Sequence, residues 1–280
     1  MNGASLRGAV IAATQELEAA GIPDAARDAR LLVAFAAGLP KDRLTLELDS
    51  PIDRAALTRL EQAMTDRLAR KPVSHILGGR EFWGRWFDVG PAVLDPRPET
   101  EILIEAALAK PYDRVLDLGT GSGCILLTLL AERDGATGVG AELSEEALEV
   151  AVANRARLGL NRQAVFTISD WLSGVVGQFD LVVANPPYIS LPEMASLAPE
   201  VLKWEPMSAL TPGFSGLEAY EAIADGIGEF LTGNARILLE IGPTQADAVT
   251  AIFRAVGLAH LATHPDLDGR DRVVELQRTS

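Results

Sequence analysis

Arg114-Val115-Leu116-Asp117-Leu118-Gly119-Thr120-Gly121-Ser122-Gly123 decides how the chain is built. Its first half is a short apolar run, the texture of a buried strand. Its second half is a turn with glycine at every second position, leading into a helix expected over Ile125 to Ala131. The alternation continues downstream. A second strand, Gly138-Val139-Gly140-Ala141, ends at Glu142 and is followed by a helix that Ser144 caps toward Ala147. A third, Ala164 to Ile168, ends in Ser169-Asp170-Trp171, and a fourth runs from Phe179 to Ala184. Strands alternating with helices predict an α/β domain around a parallel sheet. Open sheets of this kind bind ligands beyond the carboxyl ends of their strands, so the residues that follow each strand are where chemistry is to be sought.

After the first strand, Gly119, Gly121 and Gly123 permit close backbone approach, with Thr120 and Ser122 between them. A dinucleotide fingerprint would need glycine at 124, where Cys124 stands, so this is not a standard NAD loop. The helix start offers N–H groups to an anion such as a carboxylate. Glu142, about 20 residues further on, is placed to grip ribose hydroxyls. Asp170 can accept from an exocyclic amine and Trp171 can flank a base, although a turn-forming Asp and a core Trp fit those positions equally well. The fourth strand runs into Asn185-Pro186-Pro187-Tyr188, where the prolines fix φ and remove donors, leaving a rigid, acceptor-rich loop. The Asn185 amide oxygen and the Pro186 carbonyl can each accept one N–H of a planar NH2 group, and Tyr188 offers a face to stack on it. This is a site for methylating an amide or an exocyclic amine. The competing reading is a proline-stiffened loop with Tyr188 merely packed.

Before the first strand, the chain is helical from Ser5 to about Arg70, with breaks at Gly21-Ile22-Pro23 and Gly38-Leu39-Pro40. Asp24 is expected to cap the second helix and Asp53 the third. Residues 1–71 form a small helical domain, and the aromatic, glycine-bounded stretch within 72–95 predicts a β-hairpin linker. Residues 96–280 form the α/β domain. Its lead-in, Pro96-Arg97-Pro98-Glu99-Thr100-Glu101, opens an apolar helix, and on spacing alone Glu99 or Thr100 is ordinary capping chemistry. Beyond Tyr188 lies a proline-rich, irregular stretch from Ile189 to Gly216, of the length and place of a substrate loop. A helix Leu217 to Leu231, a strand Ala235 to Ile241, a helix Gln245 to Val256 and two strands, Leu258 to Thr263 and Arg272 to Leu276, complete the prediction.

Composition bounds the partners. No apolar run approaches the ~20 residues of a membrane span, and Met1 to Arg7 lacks a signal-peptide layout, so a cytoplasmic protein without a membrane partner is expected. The one cysteine allows no disulfide framework, and His75, His260 and His264 lie in no metal-type spacing. A formal net charge of −14 opposes the Lys- and Arg-rich track that phosphate backbones require, so no direct nucleic-acid partner is expected.

A glycine loop after strand one, an acid after strand two, Asp-Trp after strand three and Asn-Pro-Pro-Tyr after strand four all fall on one sheet edge. This arrangement resembles the class I S-adenosylmethionine-dependent methyltransferases, which implies a Rossmann-like seven-stranded sheet in the order 3-2-1-4-5-7-6 with the seventh strand antiparallel. Within them the chain resembles the HemK-type release factor glutamine methyltransferases over nearly its whole length. Arg97-Pro98-Glu99-Thr100-Glu101 is the discriminating segment, with Glu205-Pro206 and Gly269-Arg270-Asp271-Arg272-Val273 in support. The resemblance implies S-adenosylmethionine as cofactor, S-adenosylhomocysteine as product and class 1 peptide chain release factors as partners. It also implies cofactor contacts from Gly119, Thr120, Gly121, Ser122, Gly123, Glu142, Asp170, Trp171 and Asn185, and substrate contacts from Asn185, Pro186, Pro187 and Tyr188. Asp95 stands where the family usually has an apolar residue, and Glu142 replaces the usual Asp. The loop Ala209 to Gly216 lacks a commonly seen acid. The alternatives are an amino-adenine methyltransferase of DNA or RNA, with the same loop gripping a flipped base, and a non-catalytic cofactor-binding protein.

Overall fold

The structure is a computed structural model that describes residues 5–278. The first four residues of the stretch inspected for a leader lie outside the described residues. The chain divides into two compact units, one running up to Gly79 and taking in Ala198–Trp204, the other comprising Arg80–Leu197 and Glu205 onward.

The first unit is helical. Helix α1 (Leu6–Ala19) is capped by the Ser5 hydroxyl and buries Leu6, Ala9, Ala13 and Leu17, the three-and-four spacing of one face. Helix α2 (Ala25–Ala36) packs against it through Ala25, Ala29, Leu32 and Val33. Asp24 precedes α2 but does not cap it: its backbone is left-handed (φ 54°) and its side chain makes no cap bond. A capping side chain needs an extended backbone to reach back to the first free N–H groups. Asp53 has that conformation, and its carboxylate accepts from Ala56 N at 2.7 Å to start α3 (Arg54–Leu68). Helix α4 (Val73–Leu77) follows Pro72. The excursion Ala198–Trp204 is held in this unit by ion pairs. Glu200 accepts from Arg67 at 3.2 Å and from Arg70 at 3.4 Å, while Arg67 also bonds Asp28 at 2.7 Å.

The second unit begins with the predicted hairpin, β1 (Gly79–Phe82) and β2 (Arg85–Asp88). Trp83 and Gly84 both have positive φ (49° and 69°), the backbone of the two-residue turn whose twist matches paired strands. Helix α5 (Glu101–Leu108) and then β3 (Arg114–Leu118), α6 (Cys124–Glu132), β4 (Thr137–Glu142), α7 (Glu145–Leu158), β5 (Ala164–Ile168) and β6 (Phe179–Ala184) fall where the pattern placed them. The stretch 189–216, expected to be irregular, contains a short helix, α8 (Pro199–Trp204). The next helix, α9 (Glu218–Ala224), is shorter than expected because Gly226, at φ 87°, turns the chain into a 3-10 segment. Strand β7 (Leu231–Glu240) starts earlier than expected, and α10 (Ala246–Ala255), β8 (Leu258–Pro265) and β9 (Asp271–Arg278) close the domain.

The seven strands lie in the order β5-β4-β3-β6-β7-β9-β8, with β9 antiparallel to both neighbours. Counted within the sheet this is 3-2-1-4-5-7-6, the order the resemblance implied. Both faces are covered. Leu116, Val182, Ile237 and Leu239 enter one apolar cluster, while Val115, Leu181, Val183 and Leu238 enter the other, as period-two alternation requires. The winding reverses between β3 and β6, whose last residues Leu118 and Ala184 pair directly. The glycine loop and the Asn-Pro-Pro-Tyr loop therefore leave adjacent strand ends at the switch point, where such sheets open a crevice.

Candidate active site

A cavity of about 230 Å³ opens at that edge. Gly119, Thr120, Gly121 and Ser122 line it after β3, Glu142 after β4, Asp170 and Trp171 after β5, and Asn185 and Pro187 after β6. Most residues predicted for the site therefore meet in one place. Three are not among the residues that line it. Gly123 is the N-cap of α6, with φ 77°. Pro186 is buried. Tyr188 packs against the sheet's apolar cluster, where burial raises its phenol pKa.

The glycine loop is organised by its own strand. Gly119, Gly121 and Gly123 all have positive φ (70°, 53° and 77°), a backbone that side chains rarely tolerate. Fully buried Asp117 accepts the Thr120 hydroxyl at 2.6 Å and Leu126 N at 3.3 Å, tying the turn to the start of α6. Burial pushes the Asp117 carboxyl up to about 7 against those two hydrogen bonds. The Glu142 carboxylate accepts Gly121 N at 2.9 Å on one oxygen, and Leu143 N and Ser144 N at 2.9 and 3.1 Å on the other. Three of its four or so acceptor positions are thus filled, and the remainder faces the cavity. Glu142 is a brace for the glycine loop as well as a ribose-sized acceptor. The Asp-Trp turn is pinned by buried Ser169, whose hydroxyl donates to Trp171 O at 2.7 Å and accepts Gly174 N at 2.8 Å. Trp171 lies against Gly119, where an added Cβ would stand 3.7 Å from the indole ring.

The Asn-Pro-Pro-Tyr loop is held from outside. Asn185 Nδ2 donates to the Thr100 hydroxyl at 3.4 Å. Thr100 is buried and makes no cap bond to α5, so the expectation of ordinary capping at this position is corrected. Gln245 Nε2 donates to Tyr188 O at 3.0 Å and to Gly216 O at 3.2 Å, while Ile189 N donates to Leu210 O at 3.0 Å. The last of these bonds ties the loop's exit to the segment behind Glu205-Pro206. That segment is anchored in turn by Arg97, whose Nη2 donates to both oxygens of Glu205 at 2.6 and 2.7 Å. Glu205 is buried, which raises its carboxyl, and the Arg97 cation opposes the rise. Asp95, the departure from the family pattern, is buried with Arg80 of the hairpin as its partner at 2.9 Å.

Sequence reasoning assigned no place in the site to Thr100, Gln245, Ser169 or Glu240. Glu240 carried a usable signal, a lone acid closing the apolar run Ile237-Leu238-Leu239 on a central strand. Gln245 carried none. Among the described residues, no group of His, Cys, Asp and Glu is arranged to hold a metal ion, and no helix is long and apolar enough to cross a membrane.

Known proteins resemble this chain. Residues 9–78 match the family described as PrmC N-terminal domain, and residues 94–204 match the methyltransferase small domain. The chain is 53% identical to the release factor glutamine methyltransferase of Cereibacter sphaeroides, over 95% of this chain and 96% of that one. It is 41% identical to the protein of the same name from Rhodospirillum rubrum, over 94% and 82%. Among solved structures, a methyltransferase from Pyrococcus furiosus superposes with a TM-score of 0.56 at 16% identity, covering 77% of this chain and 100% of that one, a likeness of fold.

Proposed function

Because the chain belongs to the release factor glutamine methyltransferase family, we propose that it methylates the side-chain nitrogen of the glutamine in the Gly-Gly-Gln motif of class 1 peptide chain release factors. The products are N5-methylglutamine and S-adenosylhomocysteine. The observation that carries this reading is the shared cavity: Asn185 lines the same space as the glycine loop, Glu142 and Trp171.

Those residues suit S-adenosylmethionine. Glu142 retains acceptor capacity for ribose hydroxyls, Trp171 offers a flat face beside Gly119, and Asp170 at the rim can accept from an exocyclic amine. When bound, the cofactor supplies an electrophilic methyl group on a sulfonium. An amide nitrogen is a poor nucleophile because its lone pair is delocalised into the carbonyl. The Asn185 amide oxygen and the Pro186 carbonyl accept its two N–H bonds, orienting the nitrogen and favouring the positive charge it develops. Methyl transfer from the bound sulfonium to the amide nitrogen would leave the sulfur with the electron pair of its broken carbon–sulfur bond and one N–H proton to be released, and the two acceptors would hold the nitrogen in line for it. Orientation of this kind lowers a barrier by several kcal/mol, up to roughly 7–11 in ideal cases. Pro187 completes the wall, and Tyr188, packed behind the loop, stiffens it. We assign residues 1–71 to recognition of the release factor, 72–95 to the linker and 96–280 to catalysis, with the cytoplasm as the place of action.

The test is mass spectrometry of release factor incubated with the protein and isotopically labelled cofactor. Label on the Gly-Gly-Gln glutamine, and none on DNA or RNA, is the expected result. Label on nucleic acid alone would favour the amino-adenine reading, against which the net charge of −14 already weighs.

A further inference from the structure

Arg97 is the one residue with a cationic side chain among the described residues that line the cavity. Its Nη2 donates to both oxygens of Glu205 at 2.6 and 2.7 Å. The Glu205 side chain is 2% exposed, whereas that of Arg97 is 32% exposed. A guanidinium carries five N–H donors in a rigid plane. Two are spent on the carboxylate. The Nε–H and the two on Nη1 make no hydrogen bond among the described residues.

The local chain places this fork beside the Asn-Pro-Pro-Tyr loop. Arg97 O accepts Thr100 N at 3.1 Å, and the Thr100 hydroxyl receives Asn185 Nδ2 at 3.4 Å. Arg97 therefore stands one 3-10 turn, Pro98–Thr100, from the contact with Asn185. Its partner Glu205 begins the segment that brings Ser208 and Ala209 to the same cavity, and Leu210 O of that segment accepts Ile189 N at 3.0 Å. The small side chains of Ser208 and Ala209 leave width there for an entering main chain.

We propose that Arg97 binds the protein substrate directly: its remaining N–H groups donate to a main-chain carbonyl oxygen of the glycine-rich segment that carries the target glutamine. The inference rests on the reading that this cavity receives that glutamine. Glycine leaves its carbonyls unscreened, so a chain entering the cavity brings acceptors that need donors in place of lost water. The Glu205 pair fixes the fork beforehand, so little side-chain freedom is lost on binding.

Two other acceptors are available to a cation here. One is the carboxylate of S-adenosylmethionine, but α6 starts at Cys124, which lines the cavity, and offers its N–H groups to that anion. The other is the carbonyl of the target amide. A cation on that oxygen draws the nitrogen lone pair further into the carbonyl and weakens the nucleophile. A main-chain carbonyl gives binding and orientation without that penalty.

The experiment is methyl-transfer kinetics on release factor, at saturating cofactor, for wild type, Arg97→Lys and the double variant Arg97→Met/Glu205→Gln. Circular dichroism checks the fold, and calorimetry gives S-adenosylmethionine affinity. The double variant removes both charges at once, so no buried carboxylate is left unpaired. Arg97→Lys keeps a cation on Glu205 but has a single nitrogen to hold it with. Both should raise release-factor KM about tenfold or more, the value of a hydrogen bond from a charged donor, with kcat and cofactor Kd within about twofold of wild type. Wild-type KM in either variant would make Arg97 only a partner for Glu205. Weakened cofactor affinity would assign Arg97 to the cofactor carboxylate, and a changed kcat would assign it to the target amide. Each of these results overturns the proposal. A wild-type protein that methylates no release-factor glutamine would instead remove the premise, and the proposal with it.

Discussion

The two loops at the switch point are built on opposite plans. The glycine loop is secured by near neighbours in sequence: Asp117 holds Thr120 and Leu126, Ala141 O receives Gly119 N and Thr120 N, and Glu142 holds Gly121. The Asn-Pro-Pro-Tyr loop is secured by residues far along the chain, Thr100 before it and Leu210 and Gln245 after it. The difference teaches that the cofactor side is a self-contained cassette, whereas the substrate side depends on how the rest of the domain closes around it.

Asn185→Ala separates the two sides most sharply. Loss of a well-placed acceptor should lower kcat by ~10²-fold or more while S-adenosylmethionine affinity holds, because the glycine loop does not lean on Asn185. Near-wild-type turnover in labelled-methyl assays would reduce Asn185 to a loop residue.

Asp117 and Glu240, one under each loop, make the next largest effect. Burial raises both to about 7, from ordinary values of 3.8 and 4.5. A folded-state pKa above the unfolded one favours the fold while the acid is protonated. That stability is fully present below the unfolded value and is lost as pH rises through about 7. Each group taken alone contributes on the order of a few kcal/mol across that window, about 3 for Glu240 and about 4 for Asp117. Urea unfolding of Glu240→Gln and Asp117→Asn should each show a shallower fall in stability between about pH 4 and about pH 7 than wild type. Parallel curves would mean that neither burial is felt as a titration.

Glu142→Ala tests the cofactor side. Calorimetry should show S-adenosylmethionine binding weakened by about 1.5–3 kcal/mol, the value of a hydrogen bond to a charged group. Because Glu142 also braces Gly121 N, Glu142→Gln, which keeps one carbonyl acceptor, should lose less. Equal affinity in all three proteins would remove Glu142 from the ribose site.

Gln245→Ala is the mildest probe. It deletes two bonds to the carbonyls of Tyr188 and Gly216 and should lower kcat with cofactor Kd unchanged, by about 1 kcal/mol in barrier. A change in cofactor affinity instead would show that the loops are coupled and blur the comparison.

Along the chain, the sequence was legible wherever structure is local. Short apolar runs placed β3 to β6 within a residue or two, and Asp53 and Ser144 cap helices as expected. Local signals failed where backbone geometry was not visible. Asp24 has a capping residue's chemistry in a left-handed conformation, and Gly226 stops a helix whose apolar pattern runs on.

By itself the sequence determined the α/β alternation, the ligand edge and the residues that crowd it, because strand period, glycine turns and proline stiffness are properties of consecutive residues. Only the tertiary structure decided what holds Asn185. Thr100 reads as a helix cap until the fold brings its hydroxyl to the Asn185 amide. Hydrogen bonds across 85 residues of chain leave no periodic trace. They arise from the order in which strands pack, and that order is fixed by burying both faces of the sheet at once.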